Sequence, residues 1–188
     1  MNKPPLPKFN YTPFLTSLGL NSSPKSPKQW RTHPNANWVH TTKPPLFWEP
    51  LSTNPLDTKL ANIKEALISG ADPNEMDHEP DPRRSFGRPL HCTIHDNGDW
   101  LYMKDNIPVI ELLLEYGADP RLSGPMVLPV SCWLGSPLED AREMAEGGWG
   151  CEELFRCGFY REAYRVMKLV AVELDRMLFQ VCSFDLWI

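Results

Sequence analysis

One short pattern occurs twice in this chain, and it restricts the fold more than any other feature. Ile63-Lys64-Glu65-Ala66-Leu67-Ile68-Ser69-Gly70-Ala71-Asp72-Pro73-Asn74 and Ile110-Glu111-Leu112-Leu113-Leu114-Glu115-Tyr116-Gly117-Ala118-Asp119-Pro120-Arg121 each run an apolar stripe into Gly-Ala-Asp-Pro. Apolar residues at spacings of three and four cover one face of a helix. A glycine just past the last turn supplies a left-handed cap, and a proline soon after stops the helix. Two helices with the same ending are therefore expected.

A second element alternates with the first. Gly87-Arg88-Pro89-Leu90-His91-Cys92 opens one unit, and Gly135-Ser136-Pro137-Leu138-Glu139-Asp140-Ala141 opens the next. In this order the two elements resemble the ankyrin repeat, a G-x-T-P-L-H-x-A helix start followed by L-L-x-x-G-A-D. The resemblance covers roughly residues 56–159. Gly87 to Asp119 gives one full repeat, Leu60 to Asn74 the second half of a preceding one, and Pro137 to Gly158 a third. In the third, Leu154-Phe155-Arg156-Cys157-Gly158 stands where L-L-x-x-G would fall.

The pattern departs from the family in several places. The family period is about 33 residues, whereas Gly70 to Gly117 is 47 and Pro89 to Pro137 is 48. The excess lies in the connections after Gly70 and Gly117, and in an insertion from Asp96 to Ile107. Arg88 and Ser136 replace the family threonine, and Glu139 replaces its histidine.

A stack of repeats needs a covered end. Ala163, Met167, Val170, Leu174 and Leu178 recur at three and four between Tyr160 and Gln180, which predicts a C-terminal capping helix within residues 160–188. The expected fold is all-α: a short ankyrin-like helical solenoid, 56–159, with long finger loops, a proline-rich N-terminal arm and that cap.

Charge and proline set the arm apart. Residues 1–55 hold 11 of the 20 prolines and six basic side chains against one acid, a net of +5 in a chain of −5. Proline excludes a continuous helix there. The arm is expected to be partly disordered. Its distal part, from about Trp38 through Phe47 and Trp48, is expected to pack on the domain in extended form, because bulky aromatics are costly to leave in water.

Other classes are disfavoured. No apolar run approaches the roughly 18 residues of a membrane span. The first 20 residues hold four prolines and no apolar core of a secretory signal. The five cysteines form no CxxC pair and read as reduced thiols of a cytoplasmic or nuclear protein. His91 and His95 have a zinc-compatible i, i+4 spacing, but the resemblance makes His91 an inter-repeat hydrogen-bonding residue. Asp96-Asn97-Gly98-Asp99 lacks the alternation of a calcium loop. No phosphate loop, dinucleotide fingerprint or nucleophile elbow occurs. No catalytic residue, cofactor or metal site is assigned.

The resemblance implies a non-enzymatic module, an adaptor or regulator, that binds another protein through its fingers and first helices. The candidate contacts are Trp100, Tyr102 and Trp133 as aromatic anchors, with Glu75, Asp77, Glu79, Arg83 and Arg84 on the first finger. Ser23 and Ser26, each followed by Pro-Lys, are candidate phosphorylation sites. The basic arm is expected to give weak nucleic-acid contact at most. The alternative is a small-molecule enzyme or metal-binding protein on a diverged helical scaffold.

Overall fold

The computed structural model describes residues 44–77, 87–94, 103–124, 135–146 and 154–184, with side chains on the last helix described for 158–178. Among these residues the regular structure is entirely helical. The helices are α1 (Pro45–Trp48) with a 3-10 turn (Glu49–Leu51), α2 (Leu56–Ile68), α3 (Pro89–Ile94), α4 (Ile107–Glu115), α5 (Pro137–Ala145) and α6 (Leu154–Phe184).

Local chemistry accounts for the helix ends. α1 and α5 carry proline in the first turn, where a missing N–H costs nothing. α5 also has a full capping box, in which Ser136 Oγ accepts from Glu139 N and the Glu139 carboxylate accepts from Ser136 N. α2 and α4 end in one double hydrogen-bond pattern. Ala71 N donates to Ala66 O at 3.1 Å and Gly70 N to Leu67 O at 3.0 Å; Ala118 N donates to Leu113 O and Gly117 N to Leu114 O, both at 3.0 Å. This closure requires a left-handed residue, and Gly70 and Gly117 have φ of 95° and 92°.

The duplication continues beyond the helices. Asp72 Oδ1 accepts from Asn74 N, and Asp119 Oδ1 accepts from Arg121 N. Glu75 N donates to Asp72 O, and Leu122 N to Asp119 O. Asp77 N donates to Gly87 O, and Gly124 N to Gly135 O. The two turns thus match bond for bond, 47 residues apart until the final acceptors.

The helices associate as pairs: α1 with α2, α3 with α4, α5 with α6. α3 lies between α1 and α5, and α4 between α2 and α6, so the pairs align as two rows. Leu46, Ile63, Leu90, Val109, Leu113 and Met167 meet in the continuous core.

Two expectations are corrected. The segment before residue 55 enters the domain as a helix and a 3-10 turn, and every residue of Pro45–Leu51 is buried. It packs as the first helix of a first pair, so Pro45–Leu51 belongs to the folded domain. Its Pro45-Leu46 start matches the Pro89-Leu90 and Pro137-Leu138 helix starts. Residues before 44 lie outside the described part.

The second correction concerns the C-terminal end. The expected third-unit helix and the expected cap are one helix of 31 residues, about 46 Å long. Gly158 does not end a helix; it lies inside one, where an added Cβ would meet nothing within 4 Å. No Ala-Asp-Pro follows it, so nothing in the local sequence stops the helix.

Candidate functional site

The feature with most sequence-specific chemistry among the described residues is the row of turns that begins and ends the long connections. Asn74 bridges the first turn to the second: its Nδ2 donates to Gly117 O at 2.8 Å, and its Oδ1 accepts from Asp119 N at 2.7 Å. Arg88 spans the same gap, its Nε donating to Ser123 O at 3.0 Å and its Nη1 to Asn74 O. Arg121 adds a two-point pair with Asp119 and an ion pair with Asp175 on α6. Hydrogen bonding by Asp119 holds the Arg121 guanidinium above its already high ordinary pKa. The bases of both connections are therefore fixed on one another.

His91 serves the same purpose from inside. It is fully buried, and its Nδ1 accepts from Arg88 N at 3.1 Å. Nε2 then carries the proton and points at Gly135 O, 3.4 Å away on the next pair. Gly87, at φ 73°, leaves room for the ring, since a Cβ there would lie 3.1 Å from it. His91→Ala is expected to cost about 1–3 kcal/mol by stranding these buried groups. Urea melts check this, and a change below about 0.5 kcal/mol would remove the ring from the framework.

A buried polar network fastens the first pair. Glu49 is fully buried, and its carboxylate accepts from Ser52 Oγ at 2.9 Å, from Asn54 Nδ2 at 3.0 and 3.1 Å, and from Asn62 Nδ2. Lys59 Nζ donates to Pro50 O at 3.2 Å, and Asn106 Nδ2 donates to the same oxygen at 2.9 Å. Burial lowers the Lys59 pKa, against the opposing pull of Glu49 and Asp105. No sequence pattern marks these residues. The partners stand 13 and 56 positions apart with no repeated spacing.

Asp140, on α5, is the outlying carboxylate. Its Oδ2 is buried without a hydrogen-bond partner. Burial, with Glu143 and Glu139 nearby, pushes its pKa up to about 7 from 3.8. The folded state then holds a proton that the unfolded chain releases near pH 4. The stability this group contributes is present below about pH 4 and lost as pH rises towards about 7. Asp140→Asn is expected to raise Tm at pH 8 by about 2–4 °C, the equivalent of roughly 1 kcal/mol in a chain of this size. At pH 4 the two proteins are expected to melt together. Paired thermal melts check both arms.

Of the sequence-derived contact residues, Glu75 and Asp77 are described. Glu75 is half-buried. Asp77 is 7% exposed, and its backbone N donates to Gly87 O where the chain returns, so this acid is buried and not on an open surface. Glu79, Arg83, Arg84, Trp100, Tyr102, Trp133, Ser23 and Ser26 lie outside the described residues. α3 buries all six of its residues, whereas α5 exposes Glu139, Arg142 and Glu143. Among the described residues no three His, Cys, Asp or Glu side chains are grouped to hold a metal ion, and no helix is long and apolar enough to cross a membrane. Family models, curated proteins and solved structures yield no match to this chain.

Proposed function

We propose that this chain is a non-enzymatic protein-binding module, an adaptor or regulator of the cytoplasm or nucleus, built as a short ankyrin-like solenoid. The observation that supports this reading is the duplicated turn. Two long connections leave their helices through the same hydrogen bonds, at Asp77–Gly87 and Gly124–Gly135. The Asn74–Asp119 and Arg88–Ser123 bonds fix their bases side by side. Repeated loops on a rigid base suit recognition of a protein surface, where aromatic anchors carry most of the energy. The contacts in this reading are Glu79, Arg83 and Arg84 of the first connection, Trp133 of the second, and Trp100 and Tyr102 of the insertion between α3 and α4.

Trp100→Ala tests it. The substitution is expected to weaken capture of a stoichiometric protein partner from native extract by about 30-fold or more, a loss of about 2 kcal/mol. Tm is expected to stay within a few degrees. A large fall in Tm with unchanged capture would make Trp100 a packing residue and remove the best anchor.

A further inference from the structure

The outer face of α6 carries a charge pattern that inverts its signs when read in the opposite direction. Glu162, Arg165, Leu169, Glu173 and Arg176 are spaced by three, four, four and three residues. Reversing the order and exchanging the signs returns the same series. At about 100° per residue, all five side chains and Val172 fall within about 60° of Leu169. They share the face opposite Ala163, Met167 and Leu174, which are buried in the domain.

This face is open. Leu169 is 46% exposed and Val172, one turn on, is 59% exposed, so the two form a continuous apolar strip on this face. Glu162 pairs with Arg165 at 2.5 Å, and Glu173 with Arg176 at 2.6 Å, all four side chains remaining at least a third exposed. The charges are thus already ordered along the helix, with an apolar centre between them.

We propose that this face is a self-complementary docking surface, and that its occupant is a second copy of the chain. The two α6 helices run antiparallel about a two-fold axis at Leu169. In that arrangement Leu169 meets its own counterpart. Glu162 and Arg176 each lie seven residues from the axis, about 10.5 Å, and so stand opposite each other on the two copies. Each end then forms a row of alternating sign: Arg165, Glu162, Arg176 of the second copy, Glu173 of the second copy. The stems of the arginines cover Val172. A parallel pairing in register would place Glu162 on Glu162 and Arg176 on Arg176, and like charges oppose it. An isologous contact of this kind is closed and produces a dimer, not a fibre. The surface is small and its charges are exposed, so the dimer is weak and weakened further by salt.

Sedimentation velocity on the full chain, with reductant present and at rising concentration, tests the proposal. The wild-type chain is expected to shift from monomer towards dimer at low salt. Leu169→Glu places two carboxylates on the axis and is expected to weaken association by at least about tenfold. A charge-split pair gives the decisive arm. Glu162→Arg with Glu173→Arg makes the face basic, and Arg165→Glu with Arg176→Glu makes it acidic. Each variant alone is expected to stay monomeric, and a mixture of the two to form a heterodimer. Circular dichroism confirms that these surface variants are folded. A wild-type chain that remains monomeric throughout overturns the proposal. So does a Leu169→Glu chain that dimerises like wild type, or a charge-split mixture that does not associate.

Discussion

Leu113→Ala is expected to cost about 2–5 kcal/mol, the range for truncating a buried leucine. Leu113 is fully buried in α4, the nine-residue helix that touches α2, α3 and α6. A cavity at that junction cannot close by moving one helix, because the same helix is held on three sides. The removed atoms also lose their close contacts, and the void left behind adds to the transfer cost. Leu112 supplies the control. It is only half-buried on the same helix, so Leu112→Ala removes the same groups and is expected to cost less than about 1 kcal/mol. Urea denaturation of both variants checks the pair. A loss at Leu113 no larger than that at Leu112 would show that the apolar stripe was assigned to the wrong face.

The sequence made the ends of α2 and α4 and the starts of α3 and α5 legible, for reasons visible in particular residues. Gly-Ala-Asp-Pro states a helix end in three ways: a residue suited to positive φ, a carboxylate that caps the following turn, and a proline. All three act at Gly70–Pro73 and again at Gly117–Pro120. The Pro-Leu starts at Pro89 and Pro137 were equally plain. The third, at Pro45, was hidden by its surroundings. It sits among prolines and basic residues that suggest an unfolded arm, and no Gly-x-Pro precedes it. At the other end, Leu154-Phe155-Arg156-Cys157-Gly158 resembles a helix end, but no Ala-Asp-Pro follows the glycine. A glycine inside a helix costs only about 1 kcal/mol, and the stripe from Phe159 through Leu174 is worth far more. Asp77 misled in a different way. A run of acids reads as a solvated loop, but this member is buried where its backbone N meets Gly87 O. The Glu49 network was beyond reach, since nothing in a linear pattern pairs Pro50 with both Lys59 and Asn106.

Phe47→Ala is expected to destabilise the chain by about 3–5 kcal/mol, a core-sized loss from a proline-rich segment. Phe47 is 2% exposed, and Leu46, Trp48 and Leu51 beside it are buried as well. A four-residue helix has no stability of its own, because nucleation costs more than so few hydrogen bonds return. Its shape therefore depends on burial against α2 and α3 and on the polar bonds around Glu49 and Pro50. Removing the ring takes away a buried aromatic side chain but leaves those polar groups needing partners. The loss should consequently appear as global destabilisation, with α2 and α3 affected together, and not as local fraying of one end. Hydrogen exchange separates these outcomes. Faster exchange in Ile63–Leu67 and Leu90–Ile94 as well as Phe47–Leu51 is the expected result. Faster exchange limited to residues before Pro55, with an unchanged urea midpoint, would return this segment to the arm and begin the domain at α2.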